Sequence, residues 1–288
     1  MGGQLPLGLR AAPQPGPPLR LSVGHPAARD GHDARGAAGP HVPAERFHAV
    51  HVSDAPLGAA ITQGGQSICS DPAVSARSFA ARYVGATVVA VGAHPDDLEL
   101  GAGGTLAALS AAGVQVVMAI CSVPADYDTR VSEAKDSAAI LGCELRILMA
   151  GGCKRIEDVK NHQLVGLLDG LVREYKPLAV LTHGPTDFHH DHVQIYHGMV
   201  ATQRLACFDF YSFLPTMCRP VPVPFQPRAY IDVSHTIDTK LRAIAAHKSQ
   251  FYARGLTFEF YRDIARVNGR MVGVEYAEGL DINKLVFA

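Results

Sequence analysis

Fourteen histidines are spread along the 288 residues, and five of them, His183, His189, His190, His192 and His197, fall within fifteen positions. Imidazole is the commonest nitrogen ligand of transition metals and the usual side chain for moving protons near neutral pH. The centre of the cluster reads Asp187-Phe188-His189-His190-Asp191-His192. His189 and His192 stand three apart, a spacing at which both rings can face one point from a turn or a first helical turn. Asp191 is placed to hold a neighbouring imidazole, as carboxylates do beside metal-binding histidines. A second polar group, His94-Pro95-Asp96-Asp97, lies far earlier in the chain. His94 and Asp97 are again three apart and can grip one cation, with a third ligand arriving from the later cluster. Two imidazoles and one carboxylate leave a position open for water, as in a catalytic rather than a structural Zn²⁺ site, and zinc lowers the pKa of such a water toward about 7. Pro95 stiffens the turn, and Asp96 must project differently from Asp97, so one carboxylate can serve the metal and the other act as a base. His183, His197, His235 and His247 read as structural, and the five histidines before position 52 carry no argument.

The segments around these residues predict what positions them. From about residue 85, short β-branched runs alternate with alanine-rich stretches closed by glycine. Strands are expected at 88–91, 114–120, 145–149, 178–182 and 229–233. Helices are expected at 105–112, 130–141, 163–175 and 236–251. This alternation means βαβ units, right-handed crossovers and a mostly parallel sheet, an α/β, Rossmann-like three-layer domain over residues 85–288. In such sheets ligands sit beyond the carboxyl ends of strands, near the point where strand order reverses. Both polar groups directly follow predicted strands, so they are expected to meet in one crevice.

Composition narrows the rest. With 26 basic and 27 acidic side chains the formal charge is -1, so no global field draws in nucleic acid or anionic lipid;. No apolar run reaches the roughly 18 residues a membrane helix needs. Six scattered cysteines without Cys-x-x-Cys spacing fit a reducing cytoplasm rather than a disulfide framework;. Residues 1–45 hold eight of the 19 prolines and eight of the 28 glycines, with no lysine and no aromatic, and are expected to be a disordered extension;. Residues 46–84 are ambiguous and are expected at most to add strands. Tyr211 to Phe225, apolar and proline-rich, reads as a lid, a subunit contact or a plain loop.

Ala93-His94-Pro95-Asp96-Asp97, continuing through Leu98-Glu99-Leu100-Gly101-Ala102-Gly103-Gly104-Thr105-Leu106, resembles the opening motif of the PIG-L/LmbE-like deacetylases, zinc amidases that remove acetyl groups from N-acetylglucosamine-type sugars. Asp187-x-His189-x-Asp191-His192 resembles their second motif. Arg130-x-x-Glu133 with Leu141-Gly142 is similar to their middle segment, and Asp232-Val233-Ser234 with Lys240, His247, Ser249 and Gln250 to their carboxyl-terminal stretch. The resemblance implies that His94, Asp97 and His192 hold Zn²⁺, with Fe²⁺ or Co²⁺ as other divalent options, and that Asp96 is the general base. It implies that His189, oriented by Asp191, stabilises the oxyanion and protonates the leaving amine, and that Arg130 contacts the substrate. The implied partner is a small N-acetylated sugar or glycoconjugate, with a homo-oligomer left open. Two departures stand out: position 190 is His where many relatives have Pro, and Ala150-Gly151-Gly152-Cys153 lacks an acidic residue common there.

Two other readings compete. Two histidines and a carboxylate also make the facial triad of Fe(II) oxygenases, but those are expected on a jelly roll. A nucleotide-binding Rossmann module could use Gly101-x-Gly103-Gly104, but the spacing is not Gly-x-Gly-x-x-Gly and the glycines start too far after the strand;. They fit better as a place where a helix packs close to the sheet.

Overall fold

The computed structural model describes residues 78–213, 224–252, 255 and 257–287. The proline-rich start at 1–45 and most of 46–84 therefore lie outside the described residues. The chain enters through a short 3₁₀ turn, Ala80–Tyr83. Strand β1, Thr87–Gly92, is followed by helix α1, Asp97–Ala111, and strand β2, Gln115–Ile120. Helix α2, Tyr127–Leu141, strand β3, Glu144–Ile147, helix α3, Asn161–Tyr175, and strand β4, Ala179–Thr182, continue the alternation. Helix α4, His190–Thr202, leads to strand β5, Asp209–Phe213. Strand β6, Ala229–Asp232, helices α5, Ile237–Ala246, and α6, Glu259–Val272, and strand β7, Ala277–Lys284, complete it.

The seven strands form one sheet in the order β3-β2-β1-β4-β5-β7-β6. The first five run parallel, and β7 runs antiparallel to both β5 and β6. This is an α/β, Rossmann-like fold with three layers. The centre of the sheet is apolar on both faces because both are covered. Along β1 the alternation sends Val88 and Ala90 into one cluster with Leu98, Leu106 and Leu109, and Val89 and Val91 into another with Leu164, Leu168, Ile195 and Met199. Helices α1, α2 and α5 cover the first face, and α3 and α4 the second. No helix among the described residues is long and apolar enough to cross a membrane.

Helix α1 begins at Asp97, well before the expected start at 105, and kinks at Ala102, whose φ of -146° breaks the helical run. The glycines there keep the helix close to its neighbours. A Cβ on Gly101 would lie 2.3 Å from the Phe213 ring, and one on Gly104 would lie 2.9 Å from Val233. The expected helix to residue 251 ends instead at Ala246. Tyr211 to Phe213, expected within a lid or contact loop, closes strand β5 and is buried, while 214–223 lie outside the described residues.

A buried ion pair ties α1 to the far half of the sheet. Glu278 on β7 accepts from the Gly104 N–H at 3.0 Å, the Thr105 N–H at 2.7 Å and Lys240 Nζ at 2.5 Å. Glu278→Ala takes the carboxylate from the two backbone donors and leaves the buried Lys240 charge with only its bond to the Leu100 carbonyl, at 2.9 Å, and no counter-ion. It is expected to cost about 3–5 kcal/mol in chemical denaturation, whereas replacing Lys240 and Glu278 together by methionine should cost far less.

Candidate active site

Strands β1 and β4 are neighbours, with Val88 opposite Ala179 and Val91 opposite Thr182, while β2 and β5 flank them on opposite sides. Strand order reverses here, the place beyond the strand ends at which ligands sit in sheets of this kind;. The first loop carries His94 to Asp97, and the second runs from His183 into the start of α4.

The first loop is held by its own backbone. Asp97 Oδ2 accepts the His94 N–H at 2.8 Å, closing a tight turn at the entry to α1. Asp96 occupies the left-handed region at φ 89°, which lifts its side chain away from that of Asp97. Its carboxylate makes no capping bond to the helix, although Asp at such a position ordinarily does;. Arg130, buried on α2, donates from Nη2 to the Pro95 carbonyl at 2.8 Å and lies 3.7 Å from Asp96 Oδ1.

The second loop reaches the same point. His192 Nε2 is 3.4 Å from Asp97 Oδ1, and His94 Nδ1 is 3.7 Å from Asp97 Oδ2. One donor atom from each of His94, Asp97 and His192 can be chosen so that all lie within 4.8 Å of one another. Each histidine is turned by a carboxylate on its other nitrogen. Asp187 Oδ2 is 2.8 Å from His192 Nδ1, and Asp191 Oδ2 is 3.0 Å from His94 Nε2. This is how a metal-binding imidazole has its tautomer and direction fixed.

His189 caps α4, its Nδ1 accepting the Asp191 N–H at 3.2 Å, and its ring stacks on His192 with centroids 4.6 Å apart. The sequence reading set Asp191 beside His189. The structure gives its carboxylate to His94 and only its backbone N–H to His189. Asp187, left without a role in the sequence reading, is the partner of His192. His183, read as structural, lies against the cluster: its ring stacks 3.8 Å from that of His192 and its Nε2 accepts the Ala93 N–H at 3.0 Å. Behind the turn, Glu99 Oε1 accepts from Ser137 Oγ at 2.5 Å and pairs with His247 Nε2 at 2.9 Å, while Glu133 accepts from the N–H and hydroxyl of Ser249, each at 2.7 Å. Glu133, His247 and Ser249 of this layer were singled out by the family resemblance, though without the pairing they make here, and Glu99 stood within the opening motif.

Four carboxylates gather here: Asp97, Asp187 and Asp191 lie against histidines, and Asp96 faces Arg130. Burial and the adjacent Asp97 charge push the Asp96 carboxyl up to about 7. Burial would raise Asp97 too, but His192 and His183 hold it well below the usual carboxylate range. Burial pulls His192 down, yet Asp97 and the bond to Asp187 carry it up to about 10. Burial and His192 depress His183 to about 4. The two nitrogens and one oxygen of His94, Asp97 and His192 are a donor set that suits zinc and other divalent transition ions;.

The sequence profile of the GlcNAc-PI de-N-acetylase family, PIG-L, matches residues 89–202, from β1 to the end of α4. The chain is 27% identical over 173 residues to the uncharacterized deacetylase YaiS of Escherichia coli K12, covering 56% of this chain and 90% of that protein. It is 26% identical over 222 residues to the diacetylchitobiose deacetylase of Thermococcus kodakarensis, covering 67% of this chain and 81% of the relative. Among solved structures, the 4-carboxy-2-hydroxymuconate hydratase GalB of Pseudomonas putida KT2440 shares the fold, with a TM-score of 0.59, 21% identity and coverage of 70% of this chain and 98% of that one. Both polar loops lie inside the matched span and both curated relatives are deacetylases, so residues 89–202 carry a PIG-L-type segment and the chain is similar to the PIG-L/LmbE-like deacetylases, hydrolases that cleave N-acetyl amide bonds.

Proposed function

We propose that this protein is a zinc-dependent N-deacetylase of an amino sugar, most simply a GlcNAc-type glycoside, and that residues 85–288 form its catalytic domain. The observation that carries this reading is the convergence of His94, Asp97 and His192 donor atoms within 4.8 Å beside Asp96. The substrate class is supported by the family's description and by the diacetylchitobiose deacetylase among the relatives. A cytoplasmic setting is supported by Cys121, Cys143, Cys153 and Cys207, all free among the described residues.

In this reading His94, Asp97 and His192 hold the ion. When bound, Zn²⁺ or a similar divalent ion supplies Lewis acidity toward the amide carbonyl and acidifies water in the crevice. Asp96 takes the proton of the attacking water. A carboxyl poised near neutrality can accept that proton and release it again. His189 donates toward the developing oxyanion and then protonates the departing sugar amine, so water and amide become acetate and free amine. Arg130, held on the Pro95 carbonyl and facing Asp96, keeps the turn in place and orients the sugar. Asp191 and Asp187 aim His94 and His192.

A panel of N-acetyl sugars and their glycosides, with fluorescent detection of new primary amines, tests the reading. Amine release is expected from at least one GlcNAc glycoside. It should vanish after chelation and return with stoichiometric Zn²⁺. Metal-loaded protein that releases no amine from any member would overturn the assignment.

A further inference from the structure

Helix α6 packs on the sheet through one side only. Ala265 and Gly269 are buried, and a Cβ on Gly269 would fall 2.6 Å from the Glu275 carbonyl oxygen. On one shoulder of the same helix, Phe260, Val267 and Met271 are 46%, 61% and 66% exposed, and Ile264 between them is partly buried. The intervals of four, three and four residues draw these side chains into one stripe, the pattern by which helices pair. Single exposed apolar residues need no explanation, but a row along a whole helix does.

Charges beside the stripe select the partner. Asp263 and Arg270 are seven residues apart and so share its outer flank. Asp263 is exposed and bonded only within the helix, to Arg266 Nη1 at 2.9 Å, and Arg270 is exposed and makes no ion pair with a described residue. In two copies laid antiparallel about a two-fold axis, Phe260 faces the partner's Met271 and Ile264 faces the partner's Val267. Asp263 then meets the partner's Arg270, and the symmetry makes that pair twice. A parallel arrangement makes neither pair.

We propose that α6 is a self-association surface that pairs antiparallel with α6 of a second copy of this chain. Its 14 residues span about 21 Å, so the stripe buries less than the roughly 800 Å² per partner of a standard interface and gives a weak, concentration-dependent dimer;.

Sedimentation of the full chain over micromolar concentrations tests this, with circular dichroism to show that each variant is folded. The wild type should dimerise and Val267→Glu should be monomeric. Asp263→Arg and Arg270→Asp should each weaken dimerisation by about tenfold, since each turns two attractive pairs into repulsive ones. The double variant Asp263→Arg/Arg270→Asp should restore it. A monomeric wild type, a dimer indifferent to Val267→Glu, or a double variant as weak as the singles would overturn the proposal. Amine release enters none of these readouts, so the outcome is independent of the proposed chemistry.

Discussion

Asp96→Ala is expected to bind the same amount of zinc as the unaltered protein while releasing amine about 10²- to 10⁴-fold more slowly, the usual worth of a positioned base. The separation follows from the turn. In the proposed site His94, Asp97 and His192 hold the ion, and Asp97 accepts its bond from the His94 N–H, not from Asp96. Asp96 makes no capping bond that its loss would break, and its left-handed backbone at φ 89° is one that aspartate tolerates and glycine prefers;. Asp96→Gly should therefore fold at least as well as the parent, relieving about 1 kcal/mol of backbone strain, and still lose turnover. Asp96→Asn keeps the shape and the contact with Arg130 but cannot accept the proton, so it should match the alanine variant in rate. Metal content by elemental analysis and initial rates of amine release decide the matter. An unchanged rate in all three would remove Asp96 from the chemistry.

Residues 87–182 were legible because local chemistry and tertiary role agree there. Thr87-Val88-Val89-Ala90-Val91 is β-branched and apolar, and it becomes a central strand buried on both faces. Gly142, expected to stop a helix, adopts φ 72° at the end of α2. The reading failed where tertiary contacts overrule propensity. Strand β7 reads Ala-Glu-Gly-Leu-Asp-Ile-Asn-Lys, with a single β-branched residue, and is a strand because β5 and β6 pair with it on both sides and Lys240 neutralises Glu278. The early start of α1 was hidden by Gly101, Gly103 and Gly104, poor helix formers, of which Gly101 and Gly104 are made necessary by the closeness of Phe213 and Val233;. The two polar loops could be paired from sequence, since strand ends and the switch point bring them together. Their internal bonding could not. Sequence proximity favoured Asp191 beside His189, whereas its carboxylate meets His94 from the other loop, and nothing local distinguishes the two partners.

That exchange of partners sets up the second large effect. His192→Ala should lose the cation altogether and reduce amine release to background, because two donors on one short turn, His94 and Asp97, cannot replace the grip of a second loop. Asp187→Ala should leave all three donors in place and still weaken zinc binding about 10- to 100-fold, since Asp187 Oδ2, 2.8 Å from Nδ1, is what turns Nε2 of His192 toward Asp97;. Asp191→Ala should weaken it by a similar factor through His94. If Asp191 served His189 instead, that variant would lose rate at full zinc occupancy and keep its affinity. Titration against a competing chelator reports affinity directly. The rise in melting temperature on adding zinc reports it independently, because a ligand stabilises only the state that binds it. Asp187→Ala with undiminished affinity would show that packing alone aims His192, since its ring already lies between those of His183 and His189, 3.8 Å from one and 4.6 Å from the other.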